Sequence, residues 1–198
     1  MTTRRTSHLT PRYLVDRARL ALRERHHPDA PWLVSEAVDL LGQWLRPDDV
    51  VIEWGSGRST TWFLDHGARV HAVEHHEGWA ETVRTGARGR PLELVVVDPD
   101  DPDGYAGAHP ELDAVDVALV DGIHRHQCTA RAVELVRPGG LLVVDNVERY
   151  LPSESRAPEA IGASGLDPAW RSLAPVLAEW RGWWYSDGVT DTAIWIRP

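Results

Sequence analysis

Val51-Ile52-Glu53-Trp54-Gly55-Ser56-Gly57-Arg58-Ser59 decides the fold. The apolar run at 50–53 reads as a short buried strand, two glycines break it, and 59–66, closed by Gly67, reads as a helix. Glycine lets a main chain approach a ligand where a Cβ would clash, and a helix start offers unpaired N–H groups. A strand–turn–helix unit of this kind is therefore a binding turn. Alone, it suits many ligands.

Working outward, the same alternation recurs. Strands are expected at 70–74, 92–97, 115–120 and 141–145, with helices at 78–86 and 126–136, the latter closed by Pro138-Gly139-Gly140. Largely apolar strands separated by helices imply a parallel sheet covered on both faces. Upstream, Thr10-Pro11 is an N-cap followed by proline at the first helical position, opening a helix over 11–26. His26-His27-Pro28-Asp29-Ala30-Pro31 breaks it, and a second helix covers about 32–45. After Asn146 the pattern changes to a loop at 147–167, a helix near 168–179, and a hairpin in which 181–185 and 192–196 flank Ser186-Asp187-Gly188-Val189. The expectation is one α/β domain over 1–198, with 1–46 capping the substrate side.

Composition narrows the function classes. All 21 lysine-plus-arginine positions are arginine, so no lysine base or Schiff base is available. A net charge of −9 opposes binding to a phosphate backbone, which excludes nucleic acid as the expected partner. Cys128 is the single cysteine, so an internal disulfide and a multi-cysteine metal site are excluded. No apolar run reaches membrane-span length, and the first seven residues lack the apolar stretch of a secretory signal. No membrane association and a cytoplasmic location are expected. The sequence leaves the oligomeric state open, a homodimer included.

Three acids then fall in register at successive strand ends. Glu53 lies before the glycine turn. Glu74 ends the second strand about 20 residues on, where a carboxylate can accept two ribose hydroxyls, and Asp98 follows the third strand, placed for an adenine amino group. Any one of them could equally cap a helix or solvate a loop. Together, Glu-x-Gly-x-Gly, Val-Glu and the third acid resemble the S-adenosylmethionine (SAM) motifs of class I methyltransferases, whose five parallel strands end in a hairpin. The resemblance implies a Rossmann-like fold and SAM as cofactor. It places Glu53, Gly55, Ser56, Gly57 and Ser59 around the methionine portion, Glu74 on the ribose, and His75 and Asp98 beside the adenine. Ser59 stands where many members carry a third glycine, and a serine there is expected to cap the helix.

The fourth strand runs into Asp121-Gly122-Ile123-His124, and the fifth into Asp145-Asn146. Two carboxylates and an amide oxygen at the carboxyl edge of a sheet form an all-oxygen set suited to Mg²⁺ or another divalent cation. The segments are similar to metal-dependent O-methyltransferases of the catechol and caffeoyl-CoA type. That resemblance implies Asp121, Asp145 and Asn146 as metal ligands, with Asp121 also beside the cofactor. His124 stands in place of the family's lysine and is expected to act as the base or as a nitrogen ligand. The expected reaction is methylation of a hydroxylated small molecule: a sugar, a polyphenol or a natural product. An aminopropyl- or nucleoside-transferring enzyme on the same fold, a non-catalytic SAM-binding protein and a nicotinamide-dependent oxidoreductase are the alternatives. The last lacks support, because the turn departs from Gly-x-Gly-x-x-Gly and no second substrate domain is present.

Overall fold

A computed structural model describes residues 10–198. The first seven residues, on which the cytoplasmic expectation rests, lie outside that range. Seven strands form one sheet in the order β3-β2-β1-β4-β5-β7-β6. The strands are β1 (Val50–Trp54), β2 (Arg69–Glu74), β3 (Leu92–Val96), β4 (Val115–Val120), β5 (Val136–Asp145), β6 (Arg181–Ser186) and β7 (Asp191–Ile196). The first five are parallel, and β7 joins β5 antiparallel as part of the expected C-terminal hairpin. The change in strand order on either side of β1 and β4 creates a crevice above their carboxyl ends, where open α/β sheets bind ligands.

Apolar residues alternate between the two faces of the sheet and build two cores. On one face Val51, Val70, Val117 and Val143 pack against α2 (Ser35–Trp44), α3 (Arg58–Asp65) and α4 (Glu77–Ala87). On the other, Ile52, Trp54, Ala118 and Val144 pack against α5 (Pro102–Ala106), α6 (Arg125–Leu135) and α7 (Leu173–Glu179). The α/β sandwich expected from the strand–helix alternation is therefore present, helices covering both faces.

The two N-terminal helices differ in their packing. α2 buries Ala37, Val38 and Leu41, so it belongs to the covering layer of the sheet. α1 (Pro11–His26), capped by the Thr10 hydroxyl and opened by proline, buries no residue and leaves Leu14, Val15 and Leu22 exposed. Its last turn borders a small hollow together with Trp32, Arg58 and the β6–β7 turn. Among the described residues, no helix is long and apolar enough to cross a membrane.

Candidate active site

The site begins where β1, β4 and β5 end side by side, Trp54 paired with Val120 and Val120 with Val144. The indole of Trp54 is buried and donates to the Tyr105 carbonyl at 3.1 Å, while its own carbonyl accepts the Asp121 N–H at 2.9 Å. Gly55 then turns with φ +97°, and a Cβ on it would lie 2.6 Å from the Gly122 nitrogen. The first glycine is thus required by contact between two loops of the chain itself. Gly57 differs: its φ is 178°, and a Cβ there would meet nothing nearer than the Trp79 ring at 3.7 Å. The space beside Gly57 is free for a ligand.

A cavity of about 740 Å³ opens over this turn, within the size range of cofactor sites. Its wall includes Ser56, Gly57, Glu74, His75, Trp79 and Asp121. Glu74 is buried and its two oxygens are held by four donors. The Ser56 N–H and hydroxyl donate to Oε2 at 3.1 and 3.0 Å, and the amides of His75 and His76 donate to Oε1 at 2.8 and 3.0 Å. A carboxylate fixed in this way loses little entropy when a ligand arrives. At the mouth, Trp79 donates to the Ser56 carbonyl at 2.6 Å and stacks with Trp32, over which the Arg58 guanidinium lies 4.6 Å from the ring centroid.

Glu53 lies beneath the turn and is fully buried. The Thr60 hydroxyl donates to its Oε2 at 2.5 Å and itself accepts the Gly57 N–H at 2.8 Å. Burial pushes the Glu53 carboxyl up to about 8, against hydrogen bonds from Ser59 and Thr60 that favour its charged form. At neutral pH it carries a proton and shapes the turn rather than presenting charge. Ser59 lies inside α3 and does not cap it. Gly57 occupies the cap position and has no side chain to offer.

The three expected metal ligands do converge, but around a cation of the chain's own. The Arg125 guanidinium donates to Asp121 Oδ1 and to Asn146 Oδ1, both at 3.0 Å, and to the Asp145 carbonyl. Asp145, fully buried, accepts the Thr192 hydroxyl at 2.5 Å, and Thr192 in turn accepts the Val34 N–H at 3.1 Å. Burial first, and the nearby Asp121 charge second, push Asp145 well above the usual carboxylate range. Burial also raises Asp121, although Arg125 opposes it. Asn146 gives its amide N–H to Thr190 at 2.6 Å. A divalent ion needs open, deprotonated oxygens. Here a guanidinium takes up Asp121 and Asn146, and the Thr192 hydroxyl takes up the buried Asp145, so this donor set does not fit a bound cation.

Two other expected residues stand off the cavity wall. Asp98 is exposed and caps its own loop, its Oδ1 accepting the Asp100 N–H at 2.9 Å. His124 takes a left-handed φ of +49°, and its Nε2 lies 2.7 Å from the Pro99 carbonyl, which can only accept. Its ring packs edge-on to Tyr105. It links the β3–α5 loop to the end of β4, and neither Asp145 nor Asn146 reaches the cavity wall. Arg125, Thr60 and Trp79 were not identified from sequence. Arg125 stands four residues after Asp121, the one signal that could have revealed it.

Residues 52–147, just under half of the chain, match the sequence model of a family described as a methyltransferase domain. No match is found among curated proteins. The cofactor-bound protein Rv0187 from MTB is similar in structure at 22% identity and a TM-score of 0.53, covering 94% of this chain and 89% of its own. A fibrillarin pre-rRNA processing protein of Methanococcus jannaschii is similar at 14% identity and a TM-score of 0.53, over 77% and 67% of the two chains. The MycE methyltransferase of the mycinamycin pathway, solved with Mg and SAH, is similar at 14% identity and a TM-score of 0.52, over 91% of this chain and 48% of its own. These likenesses show the shared fold. Residues 52–147 thus match a methyltransferase domain and lie on the fold that these proteins share.

Proposed function

We propose that the chain transfers the SAM methyl group to a hydroxyl oxygen of a small acceptor, a sugar, polyphenol or related natural product. One observation carries the reading: the cavity above the sheet has the fixed carboxylate of Glu74 on its wall together with a second carboxylate, Asp121. Glu74 suits a ribose diol, which would take over the place of the Ser56 hydroxyl, with His75 beside the adenine. Ser56 and Gly57 leave room for the methionine portion, and the proton held by Glu53 keeps the floor beneath it uncharged.

When bound, SAM supplies an electrophilic methyl carbon, so the chain's task is to aim the nucleophile and exclude water. Asp121 is the acid that faces the cavity. Clamped by Arg125, it accepts the hydrogen of the acceptor hydroxyl and turns the oxygen lone pair towards the methyl carbon. His124 serves as a positioning residue for the Pro99 loop. No step requires a divalent ion. The Trp32–Arg58 stack and the last turn of α1 form the acceptor's outer wall, which gives the capping role to α1 and not to α2. An acidic chain and an apolar mouth favour a small organic partner over nucleic acid.

Mass spectrometry of products from SAM and a panel of catechols, phenols and sugars tests this. The expected product is heavier by one CH₂, forms without added Mg²⁺, and falls about a hundredfold in rate with Asp121→Asn. An aminopropyl adduct, methylation confined to amines, or a strict Mg²⁺ requirement overturns the proposal.

A further inference from the structure

On the far half of the sheet, away from the cavity, two histidines and two glutamates face one another. His71 on β2 stands directly opposite Glu93 on β3, and His109 and Glu111 come from the loop between α5 and β4. His71 Nδ1 lies 3.7 Å from Glu93 Oε2 and 3.6 Å from Glu111 Oε1, and His109 Nδ1 lies 3.0 Å from the same Glu111 oxygen. One donor atom from each residue falls within 4.8 Å of the other three.

The hydrogen bonding here is incomplete as it stands. His109 is buried, and its Nε2 lies 3.1 Å from the Ala72 carbonyl, which can only accept. A proton therefore sits on Nε2, and Nδ1 faces the Glu111 carboxylate at 3.0 Å. His71 Nδ1 is inaccessible to solvent and has no hydrogen-bond partner. Two imidazoles and two carboxylates thus face one small volume.

We propose that His71, Glu93, His109 and Glu111 form a structural site for zinc or a similar first-row divalent ion, pinning the α5–β4 loop to the β2–β3 edge. Two imidazoles and two carboxylates are a common zinc donor set, and bonds of 2.0–2.2 Å make a tetrahedron with edges of roughly 3.3–3.5 Å. The three measured separations bracket that value. Glu93 and Glu111 are mostly exposed and free to close the remaining gap, while the buried His109 is oriented by the backbone carbonyl behind it. The two carboxylate charges balance a divalent ion. Four protein ligands leave no open position, which makes the site structural and not catalytic.

The test uses the full chain, stripped with chelator, dialysed and titrated with Zn²⁺ alone by calorimetry, then with Co²⁺ alone by visible absorption. One equivalent of Zn²⁺ and a tetrahedral Co²⁺ spectrum are expected, together with a rise in thermal midpoint. The surface pair Glu93→Gln/Glu111→Gln should weaken binding at least about tenfold and abolish the Co²⁺ bands, while calorimetric SAM binding persists as evidence of folding. His71→Gln should do the same, and Asp121→Asn should leave the stoichiometry at one. Absence of Zn²⁺ binding by the native chain, or unchanged binding by the Glu93/Glu111 pair, overturns the proposal.

Discussion

Arg125 stands one helical turn beyond Asp121 and donates to its carboxylate at 3.0 Å while also holding Asn146. One planar guanidinium thus joins the end of β4 to the end of β5, its several donors reaching both side chains and the Asp145 carbonyl.

Arg125→Met should therefore leave two acids and an amide without their cation. The expected loss is about 3 kcal/mol in urea unfolding, at the low end for a broken buried pair because Asp121 keeps some solvent. Arg125→Lys should recover only part of it, since a point charge cannot reproduce the fork. Methyl transfer should fall with both variants.

Glu74→Gln removes the charge that four donors hold in place. SAM affinity measured by calorimetry should drop about thirtyfold, the equivalent of one charge-assisted hydrogen bond of about 2 kcal/mol. Ser56→Ala, which removes one of those donors, should cost far less. Equal losses in the two variants would argue against ribose recognition by this carboxylate.

The two glycines of the turn should separate cleanly. Gly55→Ala forces a methyl group against the Gly122 backbone at a positive φ and should lower stability by about 2 kcal/mol or more. Gly57→Ala has ordinary geometry and ordinary contacts, so its unfolding curve should match the native one within about 0.5 kcal/mol while SAM binding falls. Calorimetry and denaturation on the same preparations decide the point.

Stability should decline as pH rises from about 4.5 towards 8. Burial pushes Glu53 up to about 8 and Glu148 up to about 7, from 4.5. Below 4.5 both groups are protonated in either state and cost nothing. Between 4.5 and the raised value the unfolded chain has released the proton and the folded chain has not, so each pH unit costs up to about 1.4 kcal/mol per group. Glu53→Gln should flatten the pH dependence of urea midpoints, and an unchanged slope would count against the buried, protonated acid.

Residue spacing alone revealed the strands, the hairpin and the glycine turn, because each depends on local apolar periodicity. It missed α5, whose five residues, Pro102-Asp103-Gly104-Tyr105-Ala106, contain a proline and a glycine and read as loop. It also shortened β5, which starts at Val136 and passes through Pro138-Gly139-Gly140 by way of a register shift against β4. Asp121, Asp145 and Asn146 do lie together, at the ends of β4 and β5. What fills the space between them depends on the reach of Arg125 from a helix start, which no spacing rule encodes. His124 illustrates the same limit, since a left-handed backbone angle turns its ring towards Pro99.

The contact between Gly55 and Gly122 has a further consequence for anyone recombining this protein. The turn that receives the cofactor and the loop that carries Asp121 meet backbone to backbone, with no side chain between them to absorb a mismatch. They behave as a single interchangeable part. A chimera that takes one loop from a relative should fail unless it takes the other as well, whereas the hairpin and α1 can be exchanged without disturbing that seam.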